Sequence, residues 1–290
     1  MVEVYRPETL EQALDKLAVG EHTLFSGGTD LMVQNSVRPE MTPSFTRDVV
    51  FVDSIEELKK INEVHREGVV SESSLKIGAG VTLSEIEAHP MVPEILRQSA
   101  SKIAAPALRN RATMAGNICN ASPAADTLPA LYLLNARVVL SSVHGEREMA
   151  LEEFITGPGK NQLKQDEMLT HIVVPKAELP ETFYHKVGTR KANALTKLSI
   201  AGAAKVEKGI IADWRVTFGA VGPTVVRSQT LESRVVGQPV ERLSDQAFID
   251  EIVSQYSEII TPINDQRSTA EYRHQASLNL LRRWLSHLIT

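Results

Sequence analysis

Apolar and polar positions alternate along this chain with two different periods, and the change of period outlines its elements. Leu10, Ala13, Leu14 and Leu17 fall on one helical face, opened by the capping box Thr9-Leu10-Glu11-Gln12 and stopped at Gly20. Leu24-Phe25 predicts a short strand, and Leu31-Met32-Val33 predicts a return to buried structure. The glycines of Ser26-Gly27-Gly28-Thr29-Asp30 then make a sharp connection between the two. Residues 49–52 predict a strand ending at Asp53, residues 55–61 one or two helical turns, and residues 75–80 a strand entering a glycine-rich bend. A second capping box, Thr82-Leu83-Ser84-Glu85, opens a helix that stops before Pro90, and residues 95–105 predict a helix ending near Pro106. Residues 137–141 and 172–174 predict strands.

The second half changes character. A strand begins at residues 181–186, residues 200–206 and 210–221 predict a hairpin around Lys208-Gly209, and residues 244–260 and 269–288 predict helices. Leu278, Leu281, Leu285 and Leu288 keep one apolar face of the last helix. The polar, proline-bracketed stretch 175–180 predicts a boundary, dividing the chain into domains 1–175 and 176–290. One stretch follows neither period. Residues 113–126 are small and polar and lie between apolar runs at 95–108 and 128–140. Such a loop lets backbone amides come close to a ligand.

Composition narrows the function classes. A length of 290 residues suits about two domains, and a net charge of −5 with no basic block longer than Arg282-Arg283 argues against nucleic-acid binding. The first residues carry no basic or apolar leader, and no stretch nears 18 apolar residues, so neither a signal peptide nor a membrane span is expected. Cys119 is the single cysteine, and the eight His show no His-x-x-x-His spacing. An internal disulfide, a metal site and an iron–sulfur cluster of the chain's own are therefore not expected, and a reducing cytoplasm is.

Several motifs resemble known chemistry and fail on inspection. Gly157-Pro158-Gly159-Lys160 lacks the P-loop's first glycine, because position 154 is Phe154, and Asn161 follows the lysine. Gly78-Ala79-Gly80 is followed by Leu83 where a dinucleotide fingerprint needs glycine. Cys119 reads as a small buried thiol rather than a nucleophile. Ser26 to Leu31 offers glycine N–H groups and hydroxyls to an anion, though a Gly-Gly turn alone is common. In the central stretch, Thr113, Asn117, Asn120 and Ser122 offer polar groups, and Asp126 either receives ribose hydroxyls or caps the next helix. Spacing alone does not choose between these.

Taken together, Ser26-Gly27-Gly28-Thr29-Asp30-Leu31 and the stretch 113–126 resemble the FAD-binding subunits of the molybdenum hydroxylases, the xanthine, carbon monoxide and nicotinate dehydrogenase type. The likeness continues through residues 183–190, 216–227 and 263–273, in the family's order. It implies an α+β fold: a PCMH-type FAD-binding domain of two α/β subdomains, then a smaller domain of antiparallel sheet plus helices resembling the CO dehydrogenase flavoprotein C-terminal domain. By this resemblance Phe25, Ser26, Gly27, Gly28, Thr29, Asp30, Leu31 and Met32 hold the FAD pyrophosphate. Thr113, Met114, Ala115, Gly116, Asn117 and Asp126 add the second loop, Ala104 lies near the flavin, Leu169 lies against the cofactor, and Lys186 is near the isoalloxazine edge. The family usually has Gly-Gly where this chain has Ala115-Gly116, so a positive φ at position 115 would carry strain.

The resemblance implies one chain of a hetero-oligomer. An iron–sulfur (2Fe-2S) subunit would deliver electrons taken from substrate by a molybdenum-cofactor subunit, and NAD or another acceptor would leave with them. No side chain here is then a catalytic acid or base. Two rivals are a self-sufficient flavin oxidase of the same wider fold and a flavin-free scaffold subunit.

Overall fold

The computed structural model describes residues 2–36, 41–65 and 73–289. They fall into two units that interleave along the chain. The first comprises Met1–Val92, Ala105–Asn120 and Asn135–Lys176, and the second Pro93–Ala104, Ala121–Leu134 and Ala177–Thr290.

Among its described residues the first unit holds ten strands: β1 (Val4–Tyr5), β2 (His22–Phe25), β3 (Asp48–Phe51), β4 (Ile61–His65), β5 (Ser73–Gly78), β6 (Arg137–Ser142), β7 (Gly145–Ala150), β8 (Ile155–Gly157), β9 (Lys160–Asn161) and β10 (Met168–Pro175). A parallel sheet runs β1-β3-β2, and an antiparallel one runs β4-β5-β10-β6-β7. In the parallel sheet Phe25 pairs with Phe51, so β2 and β3 end side by side. Their rings stack at 4.5 Å between centroids, which anchors the start of the glycine loop in apolar packing. Helix Leu83–Ala88 carries the full capping box expected at Thr82 and Glu85.

The second unit is built on an antiparallel sheet of β11 (Glu181–Val187), β12 (Leu198–Glu207) and β13 (Ile210–Gly219), in that order. Lys208 and Gly209 turn the hairpin with φ of 49° and 79°, the left-handed pair that a two-residue connection needs to match strand twist. Trp214, Phe218, Tyr256 and Trp284 fill the core between this sheet and helices Gln246–Ile259 and Ala270–His287. Helix Thr127–Leu133 is buried along its whole length, packed between the sheet and helix Glu94–Ser101. A helix apolar all round needs such cover on every side.

The α+β architecture agrees with the sequence reading, and several local elements differ from it; Ile61, read as part of a helical turn, opens strand β4 instead. Residues 31–34 form a short helix that buries nothing, with Val33 70% exposed, so the apolar run there is not core. Residues 114–119 of the irregular stretch are helical. Met114, Ala115 and Ile118 share its buried face, too few positions for a period to register. Helix Gln229–Val235, capped by Ser228, is likewise too short to announce itself. Among the described residues no helix is long and apolar enough to cross a membrane.

Candidate cofactor site

In the first unit, β2 delivers the glycine loop and the helix Met114–Cys119 delivers the second stretch, and the two are joined at three points. Ser26 Oγ lies 3.3 Å from Thr113 Oγ1. Gln34 Nε2 donates to Asn120 Oδ1 at 2.9 Å and to Asp30 Oδ2 at 2.6 Å. Gly27 lies against the chain before Thr113 so closely that an added Cβ would sit 2.1 Å from the Arg111 carbonyl oxygen. Gly28 has φ +71° and lies over the Phe25 ring, where a Cβ would fall 2.1 Å from a ring carbon. Phe25 therefore supports the loop from beneath.

This loop fits an anionic group. The backbone N–H groups of Gly27, Gly28, Thr29 and Asp30 donate to no protein group among the described residues. Consecutive free N–H groups beside two hydroxyls make a concavity suited to phosphate oxygens. Thr113 also caps its own helix, accepting from Gly116 N at 3.1 Å. Met114 and Ala115 are buried, whereas Gly116 is exposed and Asn117 partly so. Ala115 lies inside the helix and is absent from the residues of positive φ, so the departure at this position carries no left-handed strain. Leu169 is buried on β10, which packs against the same helix. Burial pushes the Cys119 thiol up to about 12, which leaves it un-ionised and unreactive at neutral pH.

Asp126 and Lys186 meet in the second unit, which also holds Ala104. Lys186 Nζ donates to Asp126 Oδ2 at 2.7 Å and to the Lys102 carbonyl at 2.9 Å, two residues before Ala104. Thr196 Oγ1 donates to the other Asp126 oxygen at 2.6 Å, and the Tyr184 hydroxyl donates to the Asp126 carbonyl at 3.4 Å. Asp126 does not cap the next helix through its side chain. Its own dihedrals are already helical, and a capping residue needs extended ones. Burial raises the Asp126 carboxyl above its ordinary range, with the Lys186 charge opposing the rise. Ala104 has φ +46°, a left-handed conformation that costs an L-residue about 1–2 kcal/mol. Thr196 was not legible beforehand, because 70 residues separate it from Asp126.

Comparison with known proteins shows the family. The family described as "FAD binding domain in molybdopterin dehydrogenase" matches residues 1–177, and the "CO dehydrogenase flavoprotein C-terminal domain" matches residues 183–288. The chain belongs to the FAD-binding family of the molybdopterin dehydrogenases. It is a flavoprotein subunit of an oxidoreductase of the molybdenum hydroxylase type, and its cofactor is FAD. It is 32% identical to the nicotinate dehydrogenase FAD-subunit of Eubacterium barkeri, over 82% of this chain and 80% of that one. It is 27% identical to a putative xanthine dehydrogenase FAD-binding subunit of Escherichia coli, over 93% and 89% of the two chains. Its fold is that of a chain of carbon monoxide dehydrogenase from Hydrogenophaga pseudoflava, with TM-score 0.85 and 23% identity, over 98% and 96% of the two.

Proposed function

We propose that this flavoprotein accepts electrons from an iron–sulfur (2Fe-2S) subunit and passes them through FAD to NAD or another acceptor. In this reading it works in the cytoplasm, in a hetero-oligomer completed by a molybdenum-cofactor subunit. The names of the relatives support the assembly, and the free N–H groups of residues 27–30 carry the cofactor part. When bound, FAD supplies the redox chemistry, exchanging electrons singly or as hydride.

The chain's own residues hold and orient it. Gly27, Gly28, Thr29 and Asp30 donate backbone N–H groups to the pyrophosphate, and Ser26 and Thr113 add hydroxyls at the junction of the two loops. Leu31 and Met32 continue the first loop. Met114, Ala115, Gly116 and Asn117 offer the backbone of the second, Phe25 holds Gly28 in place, and Leu169 backs the helix. Ala104, Asp126 and Lys186, in the second unit, carry the cofactor roles that the resemblance implies for them, with Lys186 fixed by Asp126 as a stationary positive charge. These roles divide between a cofactor domain, 1–175, and a C-terminal domain, 176–290, and the two family matches meet close to that division.

Purification of the chain with its native partners tests the assembly. The expected result is co-purification with a large molybdenum-containing chain and a small cysteine-rich one, with the flavin bleached when substrate reduces the complex. Substrate turnover by the purified chain alone would instead make it a self-sufficient oxidase.

A further inference from the structure

Beside the glycine loop, the first unit holds two charged side chains that make no hydrogen bond among the described residues. Asp53 follows the end of β3, and Val52 N donates to the Phe25 carbonyl at 2.9 Å, which sets Asp53 level with the start of the loop. Arg111 reaches the same place from the other side, because its carbonyl is the group that Gly27 packs against. The two side chains face each other with Arg111 Nη2 3.6 Å from Asp53 Oδ2, an ion pair too long for a hydrogen bond. Asp53 Oδ1 is buried and has no hydrogen-bond partner among the described residues. A buried acceptor left unpaired is unfavourable in a folded chain, so an orphan beside a ligand loop points to donors that arrive with the ligand.

The chemistry of the pair fits one end of a dinucleotide. A guanidinium donates to phosphate oxygens in a paired fork, and a carboxylate accepts from hydroxyl groups. The placement agrees. The glycine loop follows β2, and the acidic residue ends β3, the parallel strand beside it. An acid so placed can receive ribose hydroxyls while the phosphates lie on the loop. We propose that Asp53 and Arg111 bind the ADP half of FAD, Asp53 accepting from a ribose hydroxyl and Arg111 donating to a phosphate oxygen. This rests on the assignment of residues 27–30 to the pyrophosphate. It adds two contacts outside both loop motifs.

The test is an equilibrium titration of the full apo chain with FAD, followed by quenching of flavin fluorescence, for wild type, Asp53→Asn and Arg111→Met. Loss of one charge-assisted hydrogen bond predicts a Kd for FAD about tenfold higher or more in each variant. The melting temperatures of the apo chains should stay close to wild type, since neither side chain holds a hydrogen bond among the described residues. Arg111→Lys, at a largely exposed position, should recover part of the affinity and covers the case in which Arg111→Met fails to fold. An unchanged Kd in both Asp53→Asn and Arg111→Met would overturn the proposal and leave the loop assignment standing. So would a loss of affinity matched by an equal loss of apo stability. A wild-type chain that binds no FAD would overturn the loop assignment itself.

Discussion

The glycine loop and the Asp126 cluster are both polar, and they treat their polar groups in opposite ways. Around residues 26–30 groups are left unpaired among the described residues: four consecutive N–H groups and one buried carboxylate oxygen. Around Asp126 each carboxylate oxygen has a donor within 2.7 Å, and the Lys186 ammonium is shared between a carboxylate and a carbonyl. Unpaired groups in a rigid frame are a site awaiting a partner, whereas a saturated cluster holds its surroundings in place. The first region should therefore govern cofactor affinity, and the second should govern stability and the position of Lys186.

The largest test of that contrast is Asp126→Ala. Removing the carboxylate leaves a Lys186 side chain only 9% exposed without its counter-charge, and breaking a buried pair in this way costs about 3–5 kcal/mol. Denaturant unfolding followed by circular dichroism should show the midpoint fall accordingly. A loss below about 1 kcal/mol would mean that the cluster is not a structural anchor.

A smaller effect is expected in acid. Asp265 accepts from Arg273 at 2.5 Å and from the backbone of Arg267 and Ser268, and chiefly the Arg273 hydrogen bond lowers its carboxyl to about 2. The folded value lies below the ordinary one of about 3.9, so the pair contributes stability above about pH 4 and loses it as the pH falls towards about 2. Asp265→Asn should be less stable than wild type at neutral pH, and the difference should shrink over that window. A gap that stays constant from pH 6 to pH 2 would contradict the assigned pair.

The smallest effect distinguishes two accounts of Ala115. Because this residue sits in a helix with ordinary dihedrals, Ala115→Gly should destabilise the chain by about 0.5–1 kcal/mol. A gain in stability would show that the alanine is strained after all.

Much of this was legible in the sequence because it depends on local order. The capping box at Thr82, the Lys208-Gly209 hairpin and the glycine loop each declare themselves within five residues. The helix at residues 114–119 did not, because a single buried face over six residues is shorter than the window a period needs. The saturation of Asp126 could not be read, since its partners lie 60 and 70 residues away and arrive only through the pairing of β11 with β12. Asp53 was visible as the end of a strand. Its orphaned oxygen becomes visible only once β3 is set beside β2 and Arg111 is brought alongside, 58 residues further on.

The central claim is that the free N–H groups of the glycine loop hold the FAD pyrophosphate, and one pair of titrations tests it. Apo wild type and Gly27→Ala are titrated with FAD, with flavin absorbance and the far-ultraviolet spectrum recorded on the same samples. The added methyl must displace either the loop or the Arg111 backbone, a strain of about 1–3 kcal/mol at the point where the two loops meet. The account predicts that wild type binds FAD and that Gly27→Ala, still folded, binds it about tenfold more weakly or worse. A wild-type chain that stays colourless, or a Gly27→Ala chain that binds FAD as tightly as wild type, would contradict it.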